Sequence, residues 1–191
     1  MLTTEPTARR WSLDEYHRMG DLGFFRDQRV ELIAGEILEM APQGSEHFSS
    51  ICLCADALRR CFGSNHVIRV QGPLRFSDRS EPEPDVAVVP GQPRDYAAKS
   101  HPASALLVVE VSDTSLEFDQ KGKASLYARA GIKDYWIVNL TDRTVEVYRD
   151  PVPDETSLFG FQYADKSIFT DKDRIKPFAA AADVAVADLL P

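Results

Sequence analysis

Pro84-Asp85-Val86-Ala87-Val88-Val89 and Leu106-Leu107-Val108-Val109-Glu110-Val111 are apolar runs, followed by a stretch carrying Lys123 and then by Asp134-Tyr135-Trp136-Ile137-Val138-Asn139. The second run is continuous and rich in β-branched residues, the pattern of a strand buried on both faces. A carboxylate inside such a strand is costly unless it is paired or bound to a cation. Asp85 at the head of one strand and Glu110 within the next therefore read as two converging carboxylates.

The segment between Glu110 and Asp134 supplies a third group. Residues 112–118 are polar and turn-like, and a helix is expected from about 119 to 130. Asp119, Lys123, Leu126, Tyr127 and Ala130 recur at helical spacing on one face, whereas Lys121 points about 160° away. Lys123 thus faces the sheet. Gly131 closes the helix as a left-handed cap with Ile132 as its hydrophobic follower.

Upstream, residues 1–11 read as a flexible lead-in. Ser12 followed by Glu15 resembles a capping box, so a helix is expected over residues 13–19. Residues 29–40 read as a hairpin with a two-residue Ala34-Gly35 turn. In that register Ile33 faces Glu36 and Glu31 faces Leu38, which puts both glutamates on one face. That face is either solvated or at the rim of a site, with Glu36 the candidate for an extra ligand. Ser45 can cap a helix running to Phe62, and His47, Ile51, Cys54, Leu58 and Phe62 form one stripe on it. His47 is then a structural histidine at the inner edge or a substrate contact.

Residues 67–70 form a short strand, 71–82 an irregular connection and 90–104 a surface loop. Beyond residue 139 the chain reads as a turn at 141–143, a returning strand at 144–149, a loop at 151–157, and strands or edges at 159–163 and 166–169. No repeat and no second domain is evident, so residues 12–191 are read as a single domain.

Composition bounds the function. A chain of 191 residues, 43% hydrophobic and 27% charged, is ordinary for one globular domain. No apolar run approaches a membrane span, and the N-terminus has no secretory signal pattern. Cys52, Cys54 and Cys61 share one helical stretch without paired ligand spacing, so neither a disulfide framework nor a zinc site is expected and the cytoplasm is the default. A net charge of −8 argues against indiscriminate nucleic-acid binding, although a bound divalent ion can reverse the sign of a single cleft.

Two carboxylates from adjacent strands can share a hard cation such as magnesium or manganese, with carbonyls and water completing its oxygen shell. A lysine beside it can orient or deprotonate water, or stabilise charge on a phosphate. Metal-dependent phosphodiester hydrolysis is the reaction these parts suit. Read singly, Asp85 could be a cap, and Lys123 could be an ion-pair partner of Asp119 or Glu110.

Glu31-Leu-Ile-Ala-Gly-Glu-Ile, Pro84-Asp85-Val-Ala-Val-Val, Val-Val-Glu110-Val-Ser-Asp, Asp119, Lys123, Tyr127-Ala-Arg-Ala-Gly131-Ile and Tyr135-Trp-Ile-Val, in that order over residues 12–190, resemble the "putative restriction endonuclease" family of bacterial uncharacterised proteins, within the PD-(D/E)XK nuclease superfamily. The resemblance implies an α/β, restriction-endonuclease-like core, a mixed central β-sheet flanked by helices, here with an N-terminal hairpin and extra C-terminal antiparallel strands. It implies Asp85 and Glu110 as ligands of Mg2+ (or Mn2+), help from the Val111 carbonyl, and a catalytic lysine. The superfamily motif places that lysine at position 112, where this chain has Ser112; the family pattern carries it on the following helix, where Lys123 stands. DNA is the expected substrate and a homodimer the expected assembly, since cutting two strands takes two sites. The alternative is a catalytically silent nuclease-fold module for interaction or dimerisation.

Overall fold

In the computed structural model, which describes residues 7–97 and 101–191, local sequence signals set the first elements. Helix α1 (Leu13–Asp21) opens with the expected reciprocal capping box between Ser12 and Glu15. Strands β1 (Val30–Ile33) and β2 (Glu36–Glu39) pair antiparallel in the expected register, with Ile33 opposite Glu36 and Glu31 opposite Leu38. Ala34 (φ 49°) and Gly35 (φ 81°) both adopt positive φ, the requirement of a type I′ hairpin turn. At Gly35 a side chain would also meet Arg10 Cβ at 2.8 Å. Helix α2 (Ser45–Phe62) begins one residue earlier than a Ser45 cap implies, because Gly44 is its N-cap.

Six strands then form the central sheet in the order β3 (His66–Val70), β4 (Val86–Pro90), β5 (Leu107–Ser112), β6 (Asp134–Asn139), β7 (Thr144–Pro153) and β8 (Phe161–Thr170). Every neighbouring pair is antiparallel except β5 and β6. Those two are parallel because a helical crossover, α3 (residues 116–129), joins them, as a parallel pair requires. The segments at 159–163 and 166–169 are not two short edges but one strand, β8, paired along its length with β7. Short strands β9 (Arg174–Ile175) and β10 (Val184–Ala185) follow.

The pleat sorts the core into two layers. Val86, Val88, Leu107, Val109, Val111, Trp136 and Val138 face α2, where they meet Ile51, Cys54, Leu58 and Phe62 of the expected stripe. The C-terminal tail joins this layer through Ile175, Val184, Val186 and Leu189, and Ser50 Oγ donates to the Leu189 carbonyl at 2.7 Å. Ala87, Val89, Val108, Tyr135 and Ile137 face the other way, against Ala124, Tyr127, Ala128 and Ile132. Glu110 shares the parity of Val108, so its side chain projects into the α3 layer. All three cysteines are free thiols. No helix among the described residues is long and apolar enough to cross a membrane.

The lead-in expected at residues 1–11 falls outside the described residues up to position 6. From there, Trp11 N–H already donates to the Gly35 carbonyl at 2.9 Å. Residues 98–100 of the expected surface loop also lie outside the described residues.

Candidate active site

The site forms where β4 and β5 part. Their pairing extends only to Val86 opposite Val109, and Asp85 sits one residue beyond it. Its Oδ2, rather than a strand carbonyl, accepts the Val111 N–H at 2.9 Å. In return the Asp85 N–H donates to Glu110 Oε2 at 3.3 Å. Each carboxylate is thereby fixed by the backbone of the other's strand, and both are buried, at 5% and 3% exposure.

Helix α3 delivers the cation. It comprises an α-turn at Leu116–Phe118, a π-turn at Asp119–Lys123 and a final α-helical stretch Ala124–Arg129, so it begins earlier than the expected residue 119. In the π-turn the Ala124 N–H reaches back to the Asp119 carbonyl; such bulges recur at functional sites because they re-aim side chains. Lys123 Nζ lies 3.0 Å from Glu110 Oε1 and 3.3 Å from Glu31 Oε1. One turn on, the Tyr127 hydroxyl donates to the same Glu110 oxygen. The helix ends as expected: Gly131 takes φ 75°, and Gly131 and Ile132 donate to Ala128 and Tyr127 in the two bonds of a Schellman cap. This anchors the turn that carries Tyr127.

Other groups complete the walls. His47 Nε2 lies 3.3 Å from Asp85 Oδ2, and Gln71 Nε2 donates to Asp85 Oδ1 at 3.4 Å. Arg29 stands 4.0 Å from the same carboxylate. Ser112 donates to Asp119 Oδ2 at 3.0 Å, and Ser115 does so at 2.6 Å. The pocket, about 90 Å³, is bordered by Arg29, Glu31, Asp85, Glu110, Val111 and Lys123.

The structure therefore brings together Asp85, Glu110, Val111, Lys123 and His47. It does not bring Glu36, which is exposed and paired with Arg10 at the turn end of the hairpin. Its neighbour on the same face, Glu31, is the glutamate that enters the site, fully buried. Alternation makes the two equivalent in sequence; only the packing over one end of the hairpin separates them. Tyr127 was legible as an inward helical residue, but the reach of its hydroxyl to Glu110 was not.

Electrostatically the pocket carries a surplus of negative charge. Glu31, Asp85, Glu110 and Asp119 are all buried around one buried ammonium. Burial alone pushes the Asp85 carboxyl up, but the His47 and Val111 hydrogen bonds and Lys123 bring it below the ordinary range. Burial raises Glu110 to about 8 despite Lys123, with the charges of Asp85, Asp119 and Glu31 adding to the rise. Burial likewise raises Asp119 against Lys123 and its two serine donors. Burial disfavours the charge on Lys123, yet Glu110, Glu31, Asp119 and Asp85 outweigh it and hold the ammonium well above the ordinary lysine range.

Among the described residues, no three His, Cys, Asp or Glu side chains are arranged to hold an ion by themselves. The donor set nonetheless suits magnesium, which is commonly held by one or two carboxylates and keeps several waters. Asp85, Glu110 and the Val111 carbonyl are hard oxygen donors, and the 90 Å³ pocket has room for roughly three waters at ~30 Å³ each. The surplus negative charge fits a cation at this place, and one buried oxygen of Glu31 has no hydrogen-bond partner. An unpartnered buried acceptor costs about 1–3 kcal/mol, more when charged.

Comparison with curated proteins found no match. Among solved structures, the chain is similar to the crystal structure of a "putative nuclease belonging to DUF820" from Anabaena variabilis, with a TM-score of 0.68, 16% identity, and coverage of 93% of this chain and 96% of that one. That likeness establishes the nuclease-like fold. A family model described as "Putative restriction endonuclease" matches residues 13–187, and the chain belongs to that family, Uma2.

Proposed function

We propose that this protein is a divalent-metal-dependent nuclease that hydrolyses phosphodiester bonds in DNA. The observation that carries the reading is the meeting of Asp85, Glu110 and Lys123 in one pocket, with Lys123 Nζ 3.0 Å from Glu110. It is supported by membership of a family whose model is described as "Putative restriction endonuclease".

Asp85, Glu110 and the Val111 carbonyl are the proposed ligands of Mg2+ or Mn2+, which when bound supplies Lewis-acid activation of water and neutralises charge on the phosphate. The remaining work falls to side chains already in place. His47 and the Val111 N–H hold the Asp85 carboxylate in one orientation, and Tyr127 does the same for Glu110. Lys123, kept protonated by its carboxylate neighbours, has donors only; its role is to orient water or the phosphate oxygen, not to remove a proton. Arg29, at the edge of the pocket, is placed to meet a substrate phosphate. The proposed assembly is a homodimer, so that two sites can address two strands; sedimentation tests it.

A second reading, a catalytically silent module on the same fold, is favoured by two observations. Lys123 is only 2% exposed and already paired with two carboxylates, and the chain is acidic.

Cleavage of supercoiled plasmid and single-stranded DNA with magnesium or manganese, together with calorimetric metal titration, separates the two. Metal binding and cleavage by the wild type, both lost in Asp85→Ala and in Glu110→Ala, support the nuclease. Cleavage unchanged in both variants overturns these ligands, and a wild type that neither binds metal nor cleaves supports the silent module.

A further inference from the structure

Glu31, a buried acid bordering the pocket, has no task in the chemistry above. Glu31 is fully buried within the apolar strand β1, where a leucine would avoid the whole cost of desolvation. Its Oε1 lies 3.3 Å from Lys123 Nζ. Its Oε2 is a buried oxygen with no hydrogen-bond partner, although Glu31 borders the same pocket as Asp85 and Glu110. By contrast, the two oxygens of Asp85 accept from Gln71 and Val111, and those of Glu110 accept from Lys123, Tyr127 and the Asp85 N–H. Glu31 thus keeps one free acceptor, on a side chain whose other oxygen meets an ammonium that can only donate.

The acceptor is also held in place. Leu32, its neighbour, takes the Glu81 N–H at 2.7 Å, and the I′ turn fixes the pairing of β1 with β2. A buried acid on a strand clamped from both sides cannot retreat to solvent. Sites of this kind are what general-base chemistry needs: a carboxylate within hydrogen-bond reach of a water whose position another group fixes.

We propose that Glu31 is a catalytic residue, its Oε1 holding the Lys123 ammonium and its Oε2 accepting a proton from the water that attacks the phosphate. The proposal rests on the nuclease reading. In the step, the water oxygen forms a bond to phosphorus while its proton passes to Glu31 Oε2. The bond from phosphorus to the leaving sugar oxygen breaks, and that oxygen takes a proton from solvent water. Glu31 then returns its proton to solvent, so one water is consumed for one bond cut.

The test compares Glu31→Gln, which keeps size and the oxygen facing Lys123, with Asp85→Ala in the full chain. Glu31→Gln is expected to lower kcat by about 10²- to 10⁴-fold, the usual worth of a general base, with KM nearly unchanged. Magnesium titrated calorimetrically is expected to bind Glu31→Gln but not Asp85→Ala. Cleavage lost in Asp85→Ala yet within threefold of wild type in Glu31→Gln overturns the role of Glu31 and leaves the nuclease reading standing. Loss of magnesium binding in Glu31→Gln as complete as in Asp85→Ala makes Glu31 a ligand and also overturns it. A wild type without cleavage overturns both. If Glu31→Gln melts below the assay temperature, Glu31→Asp carries the test, because it keeps the charge but retracts Oε2; kcat falls with KM retained, and an unchanged kcat overturns the proposal.

Discussion

Lys123 Nζ lies 3.0 Å from Glu110 Oε1 although the two residues belong to a helix and a strand on opposite sides of a turn. The pair joins the charge balance of the pocket to the stability of the α3 layer, and several measurable consequences follow from it.

Replacing the ammonium should destabilise the protein before it affects anything else. Lys123→Met leaves Glu110, Glu31 and Asp119 buried without their common counter-ion, and breaking such an arrangement costs about 3–5 kcal/mol. For a chain of this length that is a fall in Tm on the order of 10 °C. Added magnesium should restore more of the Tm in Lys123→Met than it adds in wild type, and scanning calorimetry with and without the ion reads the difference.

The pH dependence of stability should run downward through neutrality. Glu110 has its carboxyl raised to about 8 by burial and like charges, so between its ordinary value of 4.5 and about 8 the folded state binds a proton that the unfolded state has released. Stability contributed by this group is full below the lower value and is lost as pH rises through the window. Melting temperatures from pH 5 to 9 should therefore decline in wild type, and the decline should be smaller in Glu110→Gln. An identical slope in the two proteins would remove Glu110 as its source.

Proton release should accompany metal binding for the same reason. A ligand carboxylate must be ionised to bind an ion, so magnesium affinity should rise with pH up to about 8. Calorimetric titrations in buffers of different ionisation enthalpy should show a proton leaving with each ion bound near pH 7, and a buffer-independent enthalpy would contradict it.

Asp85→Asn should abolish cleavage at modest structural cost. The amide keeps an oxygen for the Val111 N–H but loses the charge that the proposed ion requires. The expected loss of stability is about 1–2 kcal/mol, and plasmid cleavage should fall below detection while the circular dichroism spectrum is unchanged.

The C-terminal tail should depend on one buried acid distant from the site. Asp134 accepts from Trp136 Nε1 at 2.8 Å, from Arg149 Nε at 2.9 Å and from the Phe178 N–H at 2.6 Å. Asp134→Ala leaves three donors without their acceptor, a cost of about 3 kcal/mol. Hydrogen exchange at the Phe178 amide should accelerate, and an unchanged exchange rate there would mean that the tail is held by its apolar contacts alone.

The sequence by itself determined the elements whose signals are local. Alternation and burial of apolar runs marked β4 to β6, the Ser12 and Glu15 pair marked α1, Ala34-Gly35 marked the hairpin register, and helical spacing chose Lys123 over Lys121. These patterns are legible because each is a relation between residues a few positions apart, governed by the period of the backbone. What only the tertiary structure decided are relations across long separations. Glu31 and Glu36 share one face of one hairpin, yet one is fully buried beside Lys123 and the other is exposed beside Arg10. The difference comes from which end of the hairpin the α3 layer covers. Likewise the Tyr127 hydroxyl finds Glu110, the tail reaches Asp134, and the Asp85 carboxylate replaces a strand carbonyl at Val111. A single chain carries no local mark of such meetings, because the desolvation that makes each of them matter arises only when distant elements close over them.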